Sequence, residues 1–177
     1  EINFLPALNL VYKATDKMNV RAGYSRTVAR PSFKEKSIAE IYDPITKRTF
    51  IGNIDLQQTS IDNADLRYEF FMGGKDMLSV SGFYKHFNGH IELVSFDLAP
   101  DNLKPRNSGT SHLFGGEFEI RKGLRQHTSA KFLKGFFFSA NLTIVKSMVD
   151  MTSVIVNNDG NSEFDLRQSN LRDGQTL

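Results

Sequence analysis

Two histidines four positions apart are the first residues of the chain that could bind a metal ion. His86 and His90 form an H-x3-H spacing, which suits zinc when both side chains lie on one face of a helix. Here they follow an alternation of apolar and polar residues that is typical of a strand. Four residues of a strand span roughly 13 Å, which is too far for a shared ion. The sequence therefore predicts no metal site at these histidines, and the absence of Cys excludes a thiolate site.

A pair of carboxylates on one strand could in principle do acid–base chemistry. Glu117 and Glu119 share a face with their Cα atoms roughly 7 Å apart. A glycosidase needs two carboxylates roughly 5–9.5 Å apart. Charged residues at alternate positions are also what the polar face of a barrel strand requires, and we favour this second interpretation. We expect no catalytic residues, no cofactor and no enzymatic activity.

Three glycine-containing motifs have compositions found in ligand sites. Asn157-Asn158-Asp159-Gly160 with Glu163 is similar to a calcium loop, but the frame places Ile155 where the first Asp ligand should stand, so we predict a polar loop. Gly73-Gly74 and Gly115-Gly116 do not precede helices, which leaves a phosphate cradle unsupported. The first pair predicts a hairpin turn, and the second predicts a bend or bulge within a strand.

These residues lie on segments whose apolar and polar residues alternate with a period of two, the pattern of a half-exposed strand. The clearest runs from Met18 to Val28 and is ended by Pro31, which cannot donate to the ladder. The predicted strands are Phe4–Ala14, Met18–Val28, Ile61–Met72, Met77–Leu93, Thr110–Arg121 and Gly135–Val149. They predict an all-β fold, an antiparallel meander of about six long strands.

The connections between these strands differ in length in a regular way. Tight turns at 15–17 and 73–76 alternate with long connections at 31–60, 94–109 and 150–177, and 122–134 is intermediate. In a meander, the short turns then lie at one end and the long loops at the other. This asymmetry, with segments of about 10 alternating residues, is typical of an incomplete segment of a large transmembrane β-barrel. A soluble sheet with one face on a core explains the alternation equally well, but it explains the strand length and the alternation of short and long connections less well.

The polar positions would then face the barrel lumen. The candidate lumen-facing residues are Arg21, Asp65, Arg67, Glu69, Glu117, Glu119 and Asn141, with Arg121 on the same side. They predict a mixed-charge inner wall that contacts a plug or a substrate, or alternatively a solvated face with weak ion pairs. Arg26 and Arg30 lie near the long-loop end, where an outward arginine costs little.

The composition argues against several other classes of protein. The net charge is +2, from 22 Lys and Arg against 20 Asp and Glu, so nothing indicates nucleic-acid binding. No apolar run approaches the length of a transmembrane helix, and no signal peptide is recognisable.

Several motifs resemble one family. YSRTVARPSF (24–33), DLRYEFF (65–71), GGKDMLSVSGFYKHF (73–87) and GGEFEIRKGL (115–124) are similar to the C-terminal barrel region of TonB-dependent outer-membrane receptors, especially those of Bacteroidetes. The tail NLRDGQTL resembles the start of that family's L-Q-G-Q-S-P-Y motif, with Asp173 and Thr176 departing from it. The resemblance implies a barrel of 22 strands around an N-terminal plug. It also implies an outer-membrane receptor that imports a scarce small molecule or oligosaccharide with energy relayed by TonB.

The resemblance implies that residues 1–177 form one partial barrel domain. We find no plug, signal peptide or C-terminal strand, and six strands are fewer than the eight of the smallest membrane barrels. The partners expected are outer-membrane lipid, the plug and TonB through the full-length protein, and a second copy at the open sheet edges. The alternative function is a soluble or surface β-sheet binding or adhesion module, which detergent dependence would distinguish from a membrane barrel.

Overall fold

The computed structural model describes residues 2–74, 76–96, 99–123 and 135–149, and the pairs 155–156, 162–163 and 172–173. Its elements are all β-strands. In chain order they are β1 (Ala7–Thr15), β2 (Met18–Ala29), β3 (Glu40–Asp43), β4 (Arg48–Ile51), β5 (Thr59–Gly73), β6 (Asp76–Asn88), β7 (Ile91–Phe96), β8 (Ala99–Asn107), β9 (Thr110–Gly123), β10 (Phe137–Val149), β11 (Ile155–Val156), β12 (Ser162–Glu163) and β13 (Arg172–Asp173).

The main sheet contains seven strands in the order β1-β2-β5-β6-β9-β10-β13, and every neighbouring pair is antiparallel. The predicted meander of six long strands is confirmed, and the short β13 joins it beside β10. Gly73 and Gly74 have positive φ values of 103° and 61°, so the predicted hairpin turn is also confirmed.

The long connections contain a second sheet of four strands, which the alternation pattern did not predict. β3 and β4 form one hairpin, β7 and β8 form another, and β4 pairs with β8 in parallel. The predicted strand Met77–Leu93 was too long, because β6 ends at Asn88 and Gly89 turns the chain with φ 67°. Alternation resumes directly after this glycine, which concealed the turn. The two hairpins pair through Thr49 with Asn102 and Phe50 with Leu103.

Of the two features predicted at Gly115-Gly116, a bend or a bulge, the bulge was wrong. β9 pairs with β6 and with β10 through both glycines without a change of register. A Cβ on Gly115 would overlap the carbonyl oxygen of Ile144 and the ring of Phe83. The glycine therefore gives the neighbouring aromatic ring room to lie against the sheet.

The two faces of the main sheet differ in polarity, and the burial is the reverse of that in a water-soluble sheet. One face, here the apolar face, carries Leu142 and Ile144, which are 60% and 68% exposed. The opposite face, here the polar face, buries Glu69 and Ser79 to 7% and 1% exposure. Among the described residues, only Leu56 and Met77 are hydrophobic and buried. The main sheet therefore has almost no apolar core of its own. No helix in the described part of the chain is long and apolar enough to cross a membrane.

Candidate functional site

The strand register places all the predicted lumen-facing residues on the polar face. Arg21 pairs with Arg67, which lies opposite Ser81, and Ser81 lies opposite Glu117. The next row, closer to the short turns, contains Glu69, Ser79, Glu119 and Asn141 in the same way. Asp65 lies one row toward the long loops, beside Gly23 and Phe83. These side chains therefore share one face of the main sheet.

Five charged residues on this face form an alternating chain of ion pairs. Arg21 Nε lies 2.9 Å from Oε2 of Glu69, and Arg67 Nε lies 3.0 Å from Oε1 of the same carboxylate. Arg67 Nη2 then reaches Oε2 of Glu119 at 2.8 Å, and Arg121 Nη2 lies 2.6 Å from Oε1 of Glu119. We call this set, Arg21, Glu69, Arg67, Glu119 and Arg121, the charge ladder.

The charge ladder depends on the small side chains of β6. Arg67 on β5 and Glu119 on β9 have β6 between them, and the intervening positions are Ser79 and Ser81. Ser79 is almost completely covered. The two carboxylates are more covered than the three guanidinium groups, whose side chains are 29–51% exposed. The ladder therefore presents a cationic surface over shielded carboxylates. This arrangement is typical of a structural network of ion pairs and not of a catalytic acid–base pair.

Beside the ladder lies a shallow concavity of about 450 Å³. Its lining includes Asn9, Arg21, Asp65, Phe83 and Glu117. Within the described residues, Asp65 and Glu117 belong to no ion pair, so both carboxylates can accept hydrogen bonds from a ligand. Charged and amide groups around one aromatic ring suit a polar solute or a polypeptide segment, and nothing here provides a nucleophile with a base. Phe83, which the sequence placed on the polar side of its strand, was not recognised as part of a site.

The two long connections are fastened to each other at the long-loop end. Asn107 accepts a hydrogen bond from the Gln57 backbone N–H at 2.8 Å and donates to the Gly89 carbonyl at 2.7 Å. Asn53 donates from Nδ2 to the carbonyl of the fully buried Pro105 at 3.0 Å. The bonds of Asn107 with Gln57 and of Asn53 with Pro105 join the two connections over 50 and 52 positions, and the bond to Gly89 lies within the second connection. Both connections therefore form one ordered surface at this end of the sheet.

The turn that joins β3 to β4 is organised by the carboxylate of Asp43. Asp43 Oδ1 accepts from the N–H of Ile45 at 2.9 Å, and Oδ2 accepts from the Thr46 hydroxyl at 2.8 Å. The Ile45 N–H bond, followed by the Thr46 hydroxyl, holds the pKa of Asp43 below its ordinary value. The turn closes through Lys47 with φ 56°.

On the apolar face, aromatic side chains mark the approach to the long-loop end. Tyr24, Tyr84 and Phe114 lie in one row and are 41%, 43% and 39% exposed. In the next row toward the loops, Arg26 binds both oxygens of Asp62 at 2.8 and 3.0 Å. This carboxylate partner of Arg26 was not recognised from the sequence. Arg30 lies beyond the end of β2 and is exposed.

The histidines are arranged differently from the H-x3-H spacing. His86 lies opposite His112 on β9, whereas His90 follows the turn at Gly89 and lies 3.3 Å from Glu92. In the described part of the chain, no three His, Cys, Asp or Glu side chains converge as a metal-binding group. The loop predicted at 157–160 lies outside the described residues.

The chain is similar to a known protein family and to several solved structures. A family model described as TonB dependent receptor-like, beta-barrel matches residues 3–172. No protein of curated function matches. The siderophore receptor PirA from Pseudomonas aeruginosa is similar in structure, with a TM-score of 0.67 and 18% identity over 85% of this chain and 31% of that one. A mutant ferric enterobactin receptor PfeA from Pseudomonas aeruginosa, in complex with enterobactin, has a TM-score of 0.61 and 19% identity over 84% and 26% of the two chains. The chain thus spans less than a third of the length of either structure.

Proposed function

The chain belongs to the TonB dependent receptor-like β-barrel family, and we propose that it forms part of the transmembrane wall of an outer-membrane receptor that imports a scarce solute. The observation that carries the proposal is the reversed burial of the main sheet. Leu66, Leu142 and Ile144 on the apolar face are more than half exposed, while Glu69 and Ser79 on the polar face are covered. A contiguous apolar surface of this kind is unfavourable in water and suits the hydrocarbon of a bilayer.

The height of the apolar face supports a membrane position. It extends from the row of Met18 and Phe70 to the row of Tyr24 and Tyr84. With the row of Phe138 one step further, it spans eight residues, which is about 27 Å along a strand at about 3.4 Å each and about 21 Å along the membrane normal at a strand tilt of about 40°. The apolar band of a membrane barrel is about 25 Å tall and is flanked by aromatic girdles. Tyr24, Tyr84 and Phe114 fit the girdle at the long-loop side, and Phe138, one row beyond Met18 and Phe70, fits the one at the short-turn side.

The polar face would then be the inner wall. We infer that the seven predicted residues line the lumen and that the charge ladder and the adjacent concavity contact the plug or the passing solute. Asp65 and Glu117 would offer free carboxylates to a cationic or hydroxyl group, while the exposed guanidinium groups would offer donors. Such a wall binds a solute and lets it pass without making or breaking any of its bonds, so we propose no enzymatic role.

The fastened long connections would form part of the extracellular mouth. A ferric siderophore is the first solute to test, because the similar structures are a siderophore receptor, PirA, and a ferric enterobactin receptor, PfeA. Cobalamin and oligosaccharides are the other candidates. Energy for release into the periplasm would come from the inner membrane through TonB.

The test combines location with transport. In the bacterium that makes the protein, the full-length receptor should sediment with outer membranes and require detergent for release. Cells should take up the radiolabelled solute only when both the receptor and TonB are intact. Recovery in the soluble fraction without detergent would contradict the barrel and favour the binding or adhesion module. Uptake that survives loss of TonB would contradict energised import.

A further inference from the structure

Three polar side-chain atoms converge on the apolar face just above the aromatic row. Nδ1 of His86 lies 3.4 Å from Nδ1 of His112, and Oη of Tyr84 lies 2.7 Å from the same His112 nitrogen. The two imidazoles face each other across the β6–β9 ladder, with ring centroids 4.8 Å apart. We propose that Tyr84, His86 and His112 form a binding site for a divalent transition-metal ion, with Zn²⁺ as the reference ligand.

The separation of the imidazole nitrogens is the spacing that a tetrahedral zinc ion requires. Zn–N bonds of about 2.0–2.1 Å at tetrahedral angles place two ligand nitrogens about 3.3–3.4 Å apart. The Nδ1 atoms of His86 and His112 are 3.4 Å apart. Oη of Tyr84 lies 2.7 Å from Nδ1 of His112, which is closer than two ligands of a tetrahedral ion, so this side chain would have to move away from His112 to act as a third ligand. Water would complete the coordination.

Hydrogen bonding within the cluster leaves one group poorly satisfied when no ion is bound. Nδ1 of His112 carries either one proton or one lone pair, so it can make one good hydrogen bond. The contact with Oη of Tyr84 at 2.7 Å and the contact with Nδ1 of His86 at 3.4 Å therefore compete for this one hydrogen bond. A metal ion accepts electron pairs from both imidazoles at once and removes this competition, because neutral imidazole is a preferred ligand of zinc.

The surroundings are compatible with a cation. The neighbouring charges on this face are Arg26 and Asp62, which neutralise each other through two hydrogen bonds, and Lys146 one row below. His86 and His112 are only half-buried and Tyr84 is 43% exposed, so an ion can enter from solvent. The cluster is at the long-loop end, outside the apolar rows, where water is available. This site is separate from the polar face and goes beyond the proposed import function.

The test is Zn²⁺ titration by calorimetry on the full-length protein in detergent, purified without a polyhistidine tag. Wild type should bind one Zn²⁺ per chain through this site. His86→Ala and His112→Ala should each weaken binding by at least about tenfold, the size expected when a zinc ligand or its support is lost. Tyr84→Phe should weaken it less. His90→Ala, which removes a histidine outside the cluster, should leave binding unchanged.

Two readouts make the outcome decisive. Co²⁺ in place of Zn²⁺ should give the visible absorption of a tetrahedral site in wild type and lose it in His112→Ala. Heat-dependent gel mobility checks that each variant still forms its barrel, and His86→Asn and His112→Asn serve if an alanine variant does not fold. No Zn²⁺ binding by wild type, or equal binding by folded His112 variants, would overturn the site. Neither result changes membrane fractionation, so failure of the site is distinguishable from failure of the proposed function.

Discussion

Arg67 donates from Nη2 to Oε2 of Glu119 at 2.8 Å and so joins β5 to β9 across the intervening strand β6. Strands two places apart in a sheet are about 9.6 Å apart, which only a long side chain can span. The side chain of Arg67 can pass over β6 because the intervening side chains, Ser79 and Ser81, are short. Since Glu69 also binds Arg67, the ladder connects β2, β5 and β9 on the polar face.

Neutralising Glu119 should destabilise the sheet more than neutralising Glu117. Glu119 accepts from both Arg67 and Arg121, whereas Glu117 belongs to no ion pair among the described residues. We expect Glu119→Gln to lower the free energy of unfolding by about 1 kcal/mol, the upper end for partly exposed pairs, and to do so less at high salt. Glu117→Gln is the matched control on the same strand and face. Urea unfolding in lipid vesicles measures both, and equal losses would contradict a structural role for the ladder.

Local alternation was enough to predict the main sheet, but not the contacts made by the connections. The pattern assigned Arg21, Arg67 and Glu119 to one face because side-chain direction in a strand depends only on position. It could not reveal the parallel pairing of β4 with β8, since that pairing joins segments about 50 residues apart. His112 was missed for the same reason, because its partner His86 is 26 positions away. The turn at Gly89 was also not predicted, because apolar and polar residues alternate on both sides of it.

An arginine should be tolerated on one face of β10 and not on the other. Leu142 lies on the apolar face opposite Phe118, and its neighbour Asn141 lies on the polar face opposite Glu119. Leu142→Arg should cost about 2–4 kcal/mol, because an arginine that faces lipid near the midplane is destabilising by that amount. Asn141→Arg is the adjacent control and should insert nearly as wild type. Yield of heat-modifiable receptor in outer membranes measures insertion, and similar yields for both variants would refute the assignment of the two faces.

The two central glycines of β9 should differ in their tolerance of a methyl group. At Gly115 a Cβ would overlap the Ile144 carbonyl oxygen and the Phe83 ring, whereas at Gly116 the nearest atom is the Ser81 oxygen at 3.5 Å. Gly115→Ala should destabilise by about 1–3 kcal/mol, as overpacking against backbone usually does. Gly116→Ala should change stability by less than about 0.5 kcal/mol. The midpoint of urea unfolding compares the two, and a tolerant Gly115 would mean that Phe83 does not need this space.

Asn107 should control the order of both long connections. Its Oδ1 accepts from the Gln57 N–H, and its Nδ2 donates to the carbonyls of Gln57 and Gly89. Asn107→Asp would place a carboxylate against two carbonyl oxygens and should cost about 1–3 kcal/mol locally. Hydrogen exchange at the Gln57 amide should accelerate by about tenfold or more. Asn102→Asp, on the same strand but without a described side-chain hydrogen bond, is the control, and equal exchange in both variants would contradict the fastening.

The hairpin of β3 and β4 should loosen at acid pH through Asp43. The N–H of Ile45 and the hydroxyl of Thr46 favour its carboxylate and hold its folded pKa below the ordinary value of 3.8. A lowered folded pKa means that the stabilisation is complete above the unfolded value and is lost as the pH falls through the folded one. The NMR titration of the Asp43 carboxyl carbon should therefore have its midpoint below 3.8, with the Ile45 amide shift following it. In Asp43→Asn the Ile45 amide should lose this dependence on pH. A midpoint at or above the ordinary value, or an unchanged Ile45 profile in the variant, would contradict the role of these two hydrogen bonds.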